Sequence, residues 1–90
     1  MQKKLDKPAT FKIFDKDIDN ETEIALRGSL ALAIDTEAMG LIHGRDRLCL
    51  IQICDELDNV ICIRITKNQS SAPNLKSILE KQAIEKVFHF

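Results

Sequence analysis

The spacing of apolar and polar positions changes several times along the chain, and each change marks an element. Thr10 to Phe14 alternates Phe11 and Ile13 with polar neighbours, which predicts a short edge strand. From Asp15 to Glu23 every odd position is acidic. Asn20 to Arg27 then predicts a short helix closed by Gly28, a usual helix stop. Leu30 to Glu37 predicts the first strong strand. Leu48 to Cys54 and Val60 to Thr66 predict two more, and the polar stretch Asp55 to Asn59 between them predicts an antiparallel hairpin. Asn68 to Asn74 reads as a polar loop. A helix starting at Asn74 or nearby Ser71 follows, with Leu75, Ile78, Leu79 and Ile84 at helical spacing. Glu85 to Phe90 turns back into a strand through Val87, Phe88 and Phe90.

Three antiparallel strands, a helix and the start of a fourth strand predict an α/β fold, with helices on a mixed sheet. Residues 1–9 read as a loose polar lead-in ending at Pro8. Such a fold normally continues into another helix, so the stop at Phe90 is expected to leave the domain incomplete.

Composition narrows the class. Ninety residues make one domain at most. With 44 % hydrophobic and 30 % charged residues, the chain reads as a soluble globular protein. Thirteen Lys and Arg against fourteen Asp and Glu give a net charge of −1, which excludes a strongly cationic nucleic-acid tail. An enzyme that holds nucleic acid through metal ions remains open. The longest apolar run, Leu30 to Ile34, is far short of the roughly 20 residues of a membrane span. No signal-peptide pattern follows Lys3 and Lys4, so a cytoplasmic chain is expected. Cys49, Cys54 and Cys62 sit in apolar segments and read as buried reduced thiols rather than zinc ligands.

The sharpest chemistry lies in Ile34-Asp35-Thr36-Glu37. Strand side chains alternate, so Asp35 and Glu37 share a face, with Cα atoms roughly 6.5 Å apart. Two carboxylates so placed can share a cluster of metal ions about 3.5–4 Å apart. Beneath them on that face stand Ala31 and Ala33, small enough to leave room for ions, water and a phosphate. Leu30, Leu32 and Ile34 take the opposite face and are expected in the core. An isolated pair of strand-end acids facing water is the competing reading. Calcium binding by Asp15 to Asn20 fails, because Asn20 and Leu26 occupy the positions where such a loop needs Gly and Glu. That segment reads instead as a solvated acidic loop.

Other residues carry two readings each. Met39 and Leu41, flanking Gly40, either wedge against terminal bases or anchor a loop. His43, Arg45 and Arg47 either contact phosphates or form a solvated loop with an Arg–Asp46 pair. Gln52 is expected to satisfy backbone groups, and His89 to pack as a strand residue.

LALAIDTEAMGL, then GRDRLCLIQIC, then PNLKSILEKQAIEKVFHF together resemble the ribonuclease D group of 3'–5' exonucleases. The likeness runs from about Phe11 to Phe90. It implies the DEDD superfamily and its ribonuclease H-like fold, here truncated to residues 1–90. It also implies two divalent ions, Mg or Mn, bound through Asp35 and Glu37 as catalytic metal ligands. Asp35 would bridge both ions and Glu37 would hold the one that activates water. Met39, Leu41, Arg45 and Arg47 would contact a single-stranded RNA or DNA 3' end. The resemblance covers only the first of the acidic motifs. The second and third are missing, and no tyrosine occurs at all. The isolated chain is therefore expected to be inactive or nearly so. Two alternatives are a non-catalytic fragment that complements a second polypeptide carrying the missing motifs, and a decayed gene product. A third is a small unrelated α+β binding domain whose acids are a surface feature.

Overall fold

The computed structural model describes residues 9–39, 47–66 and 69–89, with the backbone alone described at 38–39, 47–49 and 89. Five strands and two helices follow in the order β1 (Phe11–Asp15), α1 (Asn20–Arg27), β2 (Ala31–Met39), β3 (Arg47–Asp55), β4 (Val60–Arg64), α2 (Pro73–Leu79) and β5 (Glu85–His89). The sheet order is β1-β4-β3-β2-β5. The three central strands are antiparallel neighbours, as their spacing predicts. The two outer strands add to them in parallel, β1 on β4 and β5 on β2.

This order decides where the helices go. Both crossovers, β1-α1-β2 and β4-α2-β5, join parallel strands and travel in the same direction across the sheet. Crossovers of one hand and one direction place their helices on one face. Ile34, Ile51, Ile53, Ile61 and Ile63 line that face and pack with Leu26 of α1 and Leu75 and Ile78 of α2. Fully burying one such side chain stabilises the fold by about 1.5–3 kcal/mol. Among the described residues, no element covers the opposite face.

Local signals explain the helix ends. Asp19 caps α1, its carboxylate accepting from the Thr22 N–H at 2.8 Å. Gly28 ends the helix with φ −85°, an ordinary right-handed conformation, so the stop does not use glycine's freedom. Ala72, before α2, has no side chain that can cap. Asp17 does this work from a distance. Its carboxylate accepts from the N–H groups of Asn74 at 2.9 Å and Leu75 at 2.8 Å. The acidic segment expected to be a solvated loop is thus a brace: Asp15 pairs with Arg64, Asp17 caps α2 and Asp19 caps α1.

Two core expectations are corrected. Leu30 precedes β2 and is 76 % exposed, because its backbone is used to bind Glu56 and Glu85 while its side chain points outward. Ile84 is buried, yet α2 has ended at Leu79, so Ile84 enters the core from the turn leading into β5. Among the described residues, no helix is long and apolar enough to cross a membrane.

Candidate metal and nucleic-acid site

β2 buries alternate residues. Leu32 and Ile34 face the helices, while Ala33, Asp35 and Glu37 are exposed on the open face. The strand is central in the sheet, so register fixes what flanks each acid. Asp35 lies between Gln52 of β3 and His89 of β5. Glu37 lies opposite Leu50, and the β2–β3 register slips immediately after it. Leu48 is opposite Ala38, so Cys49 is the extra residue of a bulge. A bulge bends and twists the strand beside the acid pair.

The Asp35 carboxylate is partly held in place: Oδ1 accepts from the Thr36 N–H at 3.0 Å. Among the described residues, pairing between β2 and β5 runs from Ala31 to Asp35. Ala31 is half-buried and Ala33 exposed, so the surface below the acids is shallow. An open cavity of about 370 Å³ occupies the next stretch of this face, lined by Ala31, Ala33, Cys54, Val87 and Asp58 among others. It does not include Asp35 or Glu37, so it adjoins the acid pair rather than enclosing it.

The donor set has the chemistry of a site for a hard cation: two carboxylates, same face, exposed to solvent. Among the described residues, no group of three or more metal-ligating side chains gathers. Met39 and Arg47 are backbone register partners at the far end of the β2–β3 pair. Leu41, His43 and Arg45 lie outside the described residues.

Gln52 departs from its expected role: among the described residues it makes no hydrogen bond to a backbone group. It is exposed on the acid face, and its Oε1 accepts from the Cys62 thiol at 3.9 Å. One signal was available: Gln52 is the only amide or charged residue between Leu48 and Cys54, with the parity that matches Asp35. Cys62 is buried and Cys54 half-buried, and both are free thiols.

A family model described as 3'-5' exonuclease matches residues 10–90. The chain belongs to this exonuclease family. The five-stranded sheet and two helices of the described residues match the ribonuclease H-like fold of the ribonuclease D group. Among solved structures, Brucella melitensis NrnC is 38 % identical, with a TM-score of 0.75, over 90 % of this chain and 38 % of NrnC. NrnC has also been solved with Mg2+ and with pGG. Escherichia coli RNase D, an exoribonuclease involved in structured RNA processing, is 26 % identical with a TM-score of 0.63. That match covers 83 % of this chain and 20 % of RNase D. The catalytic core of Trypanosoma brucei RRP6 shares the fold, with a TM-score of 0.69 at 17 % identity, over 91 % of this chain and 23 % of that one. The chain thus spans about two-fifths of the length of NrnC. No curated protein sequence matches it.

Proposed function

We propose that this chain supplies the first metal-binding motif of a ribonuclease D-like 3'–5' exonuclease, and that the 90 residues alone release little or no nucleotide. The observation that supports this reading is the placement of Asp35 and Glu37. They are exposed at alternate positions of a central strand, within a stretch that matches the exonuclease family. Both carboxylates fit Mg2+ or Mn2+, which prefer hard oxygen ligands. In this reading Asp35 and Glu37 would hold the divalent ions, which would supply an activated water. Bound ions would lower the pKa of the attacking water and stabilise the leaving 3'-oxygen. Two carboxylates leave each ion mostly hydrated, which is the physical reason for expecting inactivity.

The substrate is a single-stranded RNA or DNA 3' end, in keeping with the NrnC structure bound to pGG. Met39 or Leu41 would wedge against the terminal bases, a contact tolerant of base identity. Arg45 and Arg47 would contact phosphates and make binding salt-dependent. Free thiols at Cys54 and Cys62 agree with a cytoplasmic setting. Digestion of a 3'-labelled oligonucleotide with Mg2+ or Mn2+ tests the reading. No release is expected from the chain alone; robust release that Asp35→Ala abolishes would overturn the expectation of inactivity.

A second reading has its own support. Phe11, Ile13 and Val87 are 62, 52 and 45 % exposed on the open face. A second polypeptide carrying the missing acidic motifs would cover this apolar surface and complete the ligand set. Mixing the two chains and measuring nucleotide release tests it, and failure to associate would count against it.

A further inference from the structure

Residues directly opposed on neighbouring strands share a face of the sheet. The row Ile13, Cys62, Gln52 and Asp35 crosses the open face, and the row Asp15, Arg64, Leu50 and Glu37 runs beside it. On β3 the even positions Leu50 and Gln52 thus belong to the open face, and the odd positions Ile51 and Ile53 to the helix side. Continued without interruption, that alternation would set Leu48 opposite Met39 and send Arg47 to the helix side. The register does the opposite. After the bulge, Leu48 stands opposite Ala38 and Arg47 opposite Met39. Met39 is two positions beyond Glu37 on β2, so it continues the series Asp35, Glu37 on the open face. The extra residue, Cys49, therefore places an arginine rather than a leucine next along the acid face.

Charge makes the exchange matter. A phosphodiester is an anion, and the carboxylates of Asp35 and Glu37 repel it. Arg64 shares the open face, but its guanidinium donates to the Asp15 carboxylate at 2.7 and 3.1 Å. Arg47 holds the place diagonal to Glu37 across the two strands. Diagonal neighbours lie roughly 7–8 Å apart, within reach of a long side chain. Resting on the reading of this face as an exonuclease site, we propose that the bulge is part of that site. It delivers Arg47 to the acid face, where the guanidinium holds the phosphodiester that cations on Asp35 and Glu37 engage. Guanidinium suits the task, because its planar fork of donors matches phosphate oxygens in pairs. Bulges beside active sites re-aim a side chain in this way.

Exchanging the two residues tests the proposal. The double variant Arg47→Leu, Leu48→Arg keeps composition and net charge, and moves the guanidinium one place along the strand, to the helix side. Binding of a 5'-fluorescein-labelled oligothymidylate is followed by fluorescence anisotropy, with Mn2+ present, over a range of salt concentrations. Arg47→Leu and the exchange are both expected to bind more weakly than the wild type. Each should lower the slope of log affinity against log salt by about 0.7, the value of one phosphate contact on a single strand. Wild-type binding by either variant would overturn the proposal and leave the exonuclease reading in place. Failure of the wild-type chain itself to bind at any salt concentration would remove that reading, and the proposal with it. The register is checked independently of any variant's folding, by nuclear magnetic resonance of the wild-type chain. Cross-strand Overhauser contacts are expected to link the backbones of Met39 and Arg47; contacts of Met39 with Leu48 in their place would overturn the proposal.

Discussion

The two faces of the sheet are built from the same strands yet differ in kind. Toward the helices, Ile34, Ile53 and Ile63 are at most 2 % exposed. On the other face Phe11 and Ile13 are more than half exposed, and the row through Ile13 includes Asp35. The difference follows from topology, because two crossovers of one direction can cover only one side. Stability is concentrated on the first face, and the chemistry on the second. The acids can occupy an interior strand because, among the described residues, they stay exposed and keep the water that an unpaired buried charge would lose.

The largest effect expected from breaking this contrast lies in the core. Ile53→Ala and Ile78→Ala should each cost about 2–5 kcal/mol in urea unfolding, whereas Ile13→Ala on the open face should change stability by no more than about 0.5 kcal/mol. An Ile13→Ala loss equal to that of Ile53→Ala would show the open face to be covered in solution.

Asp17→Ala comes next. It removes the remote cap of α2 and leaves the Asn74 and Leu75 N–H groups without their acceptor, at about 1–2 kcal/mol by the same measurement.

Acid should then erode the brace. The Arg64 guanidinium beside Asp15, the Thr22 hydroxyl and N–H beside Asp19, and Ser77 and Arg27 beside Glu23 hold these carboxyls below their ordinary values. Groups with depressed folded pKa values contribute stability that is complete above the unfolded values, about 4. That stability is lost as pH falls through the lower folded values. Melting temperature should therefore fall progressively on acidification below that point, and less so in an Asp15→Asn, Asp19→Asn double variant. Equal acid sensitivity in the double variant would remove the brace from the explanation.

The smallest effect on stability belongs to the site itself. Asp35→Asn and Glu37→Gln should leave urea unfolding within about 0.5 kcal/mol of wild type, since both side chains are exposed.

Much of this arrangement was legible in the residues. β2, β3 and β4 and the hairpin between the last two follow from runs of β-branched residues and one polar turn. The parity of Asp35 and Glu37 follows from strand alternation alone. What was hidden depends on partners distant in sequence. Nothing near Ala72 shows that Asp17 caps the second helix, because that contact spans 57 residues. The exposure of Leu30 depends on its backbone being held between Glu56 and Glu85. Gln52 looked like a polar intrusion in an apolar strand until register placed it beside Asp35. The parallel attachment of β1 and β5 likewise depends on which edge each strand reaches, which local pattern does not encode.

Whether Asp35 and Glu37 form a divalent-cation site is tested most directly by titrating the chain with Mn2+ and following free Mn2+ by electron paramagnetic resonance. Uptake by the wild type that is lost in both Asp35→Asn and Glu37→Gln is the predicted result. No uptake, or uptake indifferent to both substitutions, would contradict it.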